Sequence, residues 1–267
     1  LLSITSLLAQ KFVSLPFSGY DEDAVVQIGF QYNYINQSYQ IKLKDNWKQL
    51  FDELDDDPQD LTYLDGLRSI RNKEAHGFSI GIPVDVKWND KLSINFTPSF
   101  NILNSNSIEY ASMNPEINAL TRKTKHILSD VQGDNFNSFE FPVVLKFLSE
   151  EKRIFKSDTK YRGYILGGVR LTRWTGIISN YNQQSTEKIN NRAHTEVLVL
   201  KPEYMSWEAG FGFDIFMSYF KVSPEVRFSQ SIHNVLSNNH FLSKANKFMA
   251  PIDRGLIRNI YFSLIFQ

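Results

Sequence analysis

The sequence predicts an all-β protein: an antiparallel transmembrane β-barrel of the outer-membrane kind, with about eight strands, long extracellular loops and short periplasmic turns. Three observations carry this. Segment after segment alternates apolar and polar residues with a period of two, the signature of a strand with one apolar face. The gaps between segments alternate between short and long, as the turns and loops of outer-membrane barrels do. The 267 residues include 21 Phe and 12 Tyr, yet we find no uninterrupted apolar run of the roughly 18 residues that a membrane helix needs.

The chain opens LLSITSLLAQKF. Small residues after an apolar stretch read as the remainder of a secretory signal over residues 1–9, with cleavage near Ala9-Gln10, leaving 10–267 as one barrel domain. The other reading is the first turn of an ordinary apolar helix. The first strand follows, with Val26, Ile28, Phe30, Tyr32 and Tyr34 against Gln27, Gly29, Gln31 and Asn33. Phe78, Ile80, Ile82, Val84, Val86 and Trp88 then alternate with Ser79, Gly81, Pro83, Asp85 and Lys87. After a turn at Asn89-Asp90, Leu92, Ile94, Phe96, Pro98, Phe100 and Ile102 oppose Ser93, Asn95, Thr97, Ser99 and Asn101. Phe139 to Phe147 repeats the pattern against Glu140 and Lys146, and Ile165, Val169 and Leu171 lie against Arg170. In YMSWEAGFGFDIFMS (204–218), Trp207, Ala209, Phe211, Phe213 and Ile215 oppose Glu208, Gly210, Gly212 and Asp214. A tight turn near Ser218-Tyr219 leads to Phe220, Val222, Pro224, Val226 and Phe228 against Lys221, Ser223, Glu225, Arg227 and Ser229. The last strand places Ile260, Phe262, Leu264 and Phe266 against Asn259, Tyr261, Ser263 and Gln267. The stretches 38–75, 104–136, 174–203 and 233–255 read as long loops. An even strand count puts both termini in the periplasm.

Parity alone does not say which face points where. A lipocalin-like barrel would turn the apolar face inward around a ligand, and a sandwich would bury it between sheets. The lipid-facing arrangement is favoured by the aromatic content along whole strands, by the candidate secretion signal and by the aromatic beside the last residue. The lumen then holds Asp85, Lys87, Glu140, Lys146, Arg170, Glu208, Asp214, Lys221, Glu225 and Arg227. Acids and bases balance in that set, so interior ion pairs are expected, since charges inside a membrane protein usually pair. Eight strands make a barrel just wide enough to be filled by its own side chains, which predicts a plugged lumen and an anchor in the lipid of the outer membrane.

Composition narrows function further. Lys plus Arg number 29 and Asp plus Glu number 29, which gives no electrostatic case for nucleic acid. The lack of Cys removes thiol nucleophiles and Cys-based zinc sites. His76, His126, His194, His233 and His240 form no HExxH and no close ligand pair. There is no GxSxG elbow. Ser229, Ser231 and His233 could be imagined as a lipid-hydrolase site, but their spacing does not single them out. We therefore expect no enzyme activity, no cofactor and no small-molecule substrate. The acidic run DELDDDPQD (52–60) reads as solvated surface. WKQLFDEL (47–54) has Trp47, Leu50, Phe51 and Leu54 at helical spacing, a short amphipathic helix for the barrel rim.

Several segments carry a resemblance. GYILGGVR (163–170), LKP (200–202) and EAGFGFDIFMSYFKVSPEVRFSQ (208–230) resemble the PorT family, together with FPVVLKF (141–147), IDR (252–254) and the terminal FSLIFQ. The likeness is strongest over the C-terminal half. The loops around 38–75 and 104–136 match no shared pattern. The resemblance implies a non-enzymatic outer-membrane barrel of the Bacteroidetes, needed by the type IX secretion system that exports surface proteases, adhesins and gliding components. It implies other components of that system as partners. It carries over no catalytic residue, because the shared pattern is one of strands and turns. An OmpX-like surface barrel for adhesion or membrane integrity is the alternative.

Overall fold

The structure is a computed structural model that describes residues 13–15, 24–60, 62–104, 106–123, 135–153, 159–176, 198–243 and 246–267. The signal assigned to residues 1–9 lies outside them, as do His126, His194 and the polar run around 180–192.

Sixteen strands form among the described residues. In chain order they are β1 (Val13–Ser14), β2 (Val26–Ile28), β3 (Phe30–Leu43), β4 (Leu67–Lys73), β5 (Ala75–Gly81), β6 (Val84–Asn89), β7 (Leu92–Phe96) and β8 (Ser99–Asn104). There follow β9 (Ser107–Ser112), β10 (Leu120–Lys123), β11 (Asn135–Leu148), β12 (Lys152–Arg153), β13 (Lys160–Trp174), β14 (Glu203–Phe216), β15 (Lys221–Ser231) and β16 (Ile252–Phe266). Short interruptions at Gly29, at Ile82-Pro83 and at Thr97-Pro98 join β2 to β3, β5 to β6 and β7 to β8 without changing register. The result is eight long antiparallel strands, each hydrogen-bonded to its neighbours in sequence, and β16 closes the circle on β3.

The register can be followed round the barrel. From Ile28 it passes to Val84, Phe96, Val143, Val169, Trp207, Gln230 and Arg258, and returns to the first strand at Ser38. The return lies ten residues beyond the start, from 28 to 38. With eight strands, a shear of ten gives a strand tilt of about 40° and a wall radius of about 8 Å. Side chains fill such a barrel.

Burial decides the direction of the faces. Phe30, Tyr32, Phe78, Ile80, Phe141, Val143, Leu145, Phe211, Phe213 and Phe262 are exposed, while Gln31, Asn33, Ser79, Asn95, Glu140, Arg170, Glu208 and Arg227 are buried. A water-soluble barrel has the reverse arrangement. This is the surface of a transmembrane β-barrel, whose outer solvent is hydrocarbon. On β5–β6 the apolar outer face runs from Phe78 to Trp88, ten residues and about 25 Å along the barrel axis, the height of a bilayer core. A one-residue slip would turn every Phe inward and every charge to lipid, so this surface fixes the register.

At one end the pattern changes phase. Beyond Tyr34 the outer residues of β3 become Asn36, Ser38, Gln40 and Lys42, while Ile35 and Tyr39 are buried inside. Leu103, Trp174, Tyr204 and Ile257 are likewise buried there, in one apolar cluster. The barrel therefore has two solvents. Where lipid surrounds it the lumen is polar, and where water surrounds it the lumen is apolar.

This second core extends into a folded cap, and three of the four stretches read as long loops hold regular structure among the described residues. Within 38–75, β3 runs on to Leu43, a helix α1 follows at Trp47–Asp52, and β4 follows it. Within 104–136, β9 pairs with both β4 and β10 in a separate three-stranded sheet. Within 233–255, β16 begins at Ile252. Phe51 of α1 is fully buried against Tyr110 and Phe248, with ring centroids 6.4 and 6.0 Å away. The amphipathic spacing read from the sequence thus serves a core above the rim.

Candidate functional site

Two places concentrate polar chemistry in a way that folding alone does not require: the lumen and the cap.

The lumen is a ladder of ion pairs. On β13, Arg170 reaches Glu208 on β14, with Nη2 at 2.5 Å and Nε at 2.7 Å from Oε2, and its Nη1 pairs with Glu140 on β11. The Arg170 guanidinium also lies 4.0 Å from the centre of the Tyr261 ring. Tyr261 donates from its hydroxyl to Glu140 at 2.8 Å. On β15, Arg227 pairs through Nε with Glu225 and lies 3.4 Å from Glu208. Tyr164 donates to the other Glu225 oxygen at 2.9 Å. Three carboxylates and two guanidiniums thus form one connected group. Removing them from water is costly, and mutual pairing with satisfied hydrogen bonds is what makes it tolerable.

Glycine makes the room. In the strand registers Glu208 faces Gly168, Arg227 faces Gly210 and Glu225 faces Gly212. A Cβ on Gly212 would stand 2.5 Å from the Tyr164 hydroxyl. Gly168, Gly210 and Gly212 are therefore the floor on which the large lumen side chains lie.

A second tier sits toward the short turns. Lys146 meets Asp85 at 2.9 Å, and Gln267 donates to Asp85 at 2.8 Å. Arg162 meets Asp214 at 2.7 Å, Ser223 donates to the same carboxylate at 2.7 Å, and Lys221 donates to Gln27 at 2.9 Å. Between these groups remains a cavity of about 30 Å³ lined by Gln27, Asp85, Lys146, Arg162, Asp214 and Lys221, the size of one or two waters. A wider hollow of about 370 Å³ lies outside it, lined by Lys87, Asp90, Lys91, Glu150, Glu151 and Arg162.

Of the ten charges read from sequence, the structure brings nine into these two tiers. Lys87 lines the same small cavity from its outer edge but pairs elsewhere, half-exposed and 3.5 Å from Asp90 at the turn. Sequence reasoning missed Arg162, which shares the parity of Arg170 and could have been found from it. It also missed Tyr164, and although parity placed Tyr261 and Asn95 on the polar face, it did not single them out as partners of the charges, because neutral side chains carry no charge signal.

The cap is locked by one buried pair. Lys247 lies 2.6 Å from Asp55 and 3.5 Å from Asp60. Asp55 also accepts from the backbone N–H of Leu64 at 2.9 Å, and Tyr110 donates to the carbonyl of Phe248 at 2.5 Å. The acidic run 52–60 is accordingly not all solvated surface, because Asp55 is buried. Burial and the neighbouring Asp55 raise the pKa of Asp52. Asp60 is partly desolvated, but hydrogen bonds from Thr62 and the charge of Lys247 hold its pKa below the usual range.

Ser229 and Ser231 are buried in the lumen, and the Ser231 hydroxyl accepts from the N–H of Ile257 at 3.0 Å, while His233 is exposed. The three do not converge. His76 is on the outer rim, 2.8 Å from the Tyr34 hydroxyl. Among the described residues, no group of three His, Asp or Glu side chains is placed to hold a metal ion.

No protein-family model matches the chain, and no curated protein matches it. Among solved structures it is similar to the outer membrane protein OprG from Pseudomonas aeruginosa. That match has 10% identity and a TM-score of 0.39 over 90% of this chain and 93% of that one. It is also similar to Ail, the attachment invasion locus protein of Yersinia pestis, solved with the heparin analogue sucrose octasulfate. Here the identity is 8% and the TM-score 0.30, over 90% and 96% of the two chains. Scores this low carry no argument. The barrel stands on this chain's own strand pairings.

Proposed function

We propose that this chain is a non-enzymatic outer-membrane barrel that anchors a folded cap at the cell surface, and that it acts as a component or assembly factor of the type IX secretion system. The observation that carries the first half is the inverted barrel with a filled lumen. Outward Phe, Tyr and Leu call for a lipid surround, and closed strand barrels are the non-helical solution to spanning one. A lumen occupied by Arg170, Arg227 and their carboxylates leaves no ion path. The short turns then lie in the periplasm with both termini, and the cap lies outside.

The secretion role rests on the PorT-like segments. They coincide with the lumen ladder: Lys146, Arg162 to Arg170, Glu208, Asp214, Lys221, Glu225 and Arg227 lie in or directly beside FPVVLKF, GYILGGVR and the 208–230 hairpin. The test is deletion of the gene followed by assay of exported surface proteases and adhesins. Loss of export with cargo retained in the periplasm is expected. Normal export and processing would remove the secretion role and leave the surface-barrel alternative, which the folded cap favours.

A further inference from the structure

The phase change of the barrel wall marks where lipid gives way to water, and one sector of that boundary is distinctive. The β3–β16 pairing continues to Leu43 and Ile252, whereas β3 leaves β5 at Gln37. A two-stranded ribbon therefore stands above the rim. On its outer face the lipid-facing series Leu264, Phe262 and Ile260 is continued by Arg258 and, beyond the buried Leu256, by Arg254. On β3, Lys42 is the register partner of Arg254.

Two cations directly opposite on one sheet face repel each other, which costs stability unless an anion is shared. The one acid on the ribbon is Asp253, 3.4 Å from Lys42, and both of those side chains are about half-exposed or more. A pair so exposed contributes little. Arg258 is held in place by its Nε, which donates to Gln230 at 2.8 Å. Beside it the apolar wall is continued by Ile232, just past the end of β15, and Met205 on β14, which are both exposed. Among the described residues, the opposite rim mixes Lys87, Lys91 and Lys152 with Asp90, Glu150 and Glu151 in equal number.

We propose that Arg258, Arg254 and Lys42 bind the phosphate of an anionic outer-leaflet lipid whose acyl chains lie on Ile260, Phe262 and Ile232. The proposal rests on the outer-membrane reading. Guanidiniums at the top of an apolar wall meet the two requirements of such a ligand at once: charge at headgroup depth and hydrocarbon below.

The test uses the full chain in mild detergent, titrated with a phosphorylated lipid A-type glycolipid, with the same glycolipid after dephosphorylation, and with inorganic phosphate. Retained lipid is read by native mass spectrometry. Wild type is expected to retain the phosphorylated lipid. The Arg254→Gln/Arg258→Gln variant should lose about tenfold or more in affinity, and the Lys91→Gln/Lys152→Gln control at the other rim should lose none. Equal retention by wild type and the arginine variant overturns the site. So does binding of inorganic phosphate without preference for the lipid. Heat-modifiable gel mobility is measured on every sample. Its absence from the wild type would take down the barrel reading as well, whereas its presence beside a negative titration would overturn the lipid site alone.

Discussion

At the residue scale the lumen is governed by side chains that share partners. Replacing Arg227 with Met leaves Glu225 without a cation, and Glu208 with Arg170 alone, in a site from which water is excluded. Breaking one member of a buried pair costs about 3–5 kcal/mol, so the urea midpoint of Arg227→Met in lipid vesicles should fall far below wild type. Adding Glu225→Leu should recover part of that loss, because the uncompensated charge goes with it. Gly212→Val is expected to be equally damaging for a different reason: its Cβ occupies the place of the Tyr164 hydroxyl, which then loses Glu225. Tyr164 fluorescence or its hydrogen-exchange neighbourhood would report the displacement. The charges could be read from sequence because Arg170, Glu208 and Arg227 all fall on the polar parity. Tyr164 could not, since an aromatic at the same parity looks like a break in the pattern, and only the opposing Gly212 explains how it fits.

At the element scale the strands inside the lipid and the helix α1 could be read directly, while the ribbon and the strands of the cap could not. A period-two search finds apolar residues against polar ones, and in β3 this contrast reverses beyond Tyr34 without any change in strand geometry. Ser38, Gln40 and Lys42 therefore read as loop, although the hydrogen-bond ladder runs through them. β4, β9 and β10 escaped because they are short, and because β4 finds its partner β9 only across a long intervening segment, from Lys73–Ser107 to Leu67–Ser112. The cap should be separable from the barrel. Lys247→Met removes the ion pair with Asp55 and Asp60, so added protease should cut the 44–66 segment faster while heat-modifiable mobility is kept. Acid should act in the same direction through Asp60. Its pKa is lower in the folded cap, so its contribution is present above the ordinary carboxylate value of about 3.9 and is lost as pH falls through the folded value. Asp52, with a raised pKa, opposes this. Protection of the cap measured by hydrogen exchange should therefore decline only below about pH 4, and Asp60→Asn should remove most of the pH dependence.

At the scale of the whole molecule, the shear of ten and the eight strands leave an interior that two tiers of side chains occupy. Reconstituted protein should show no steady conductance in planar bilayers and no swelling of solute-loaded vesicles; a sustained open current would contradict the filled lumen. Barrel class and approximate strand number followed from the alternation, because one buried face and one lipid face leave little freedom of register. The exact closure did not, because the contact of β16 with β3 joins segments more than two hundred residues apart. That closing seam has a kinetic meaning. Fourteen register partners, from Phe30–Phe266 to Ile252–Leu43, can form only after the intervening hairpins are in place or held nearby. Until then β3 and β16 each present an unpaired edge beside a row of outward aromatics, a combination prone to aggregation. Assembly of this chain should thus be slow and escorted, with the seam as its final step, and a nascent barrel captured mid-assembly should be open along that line.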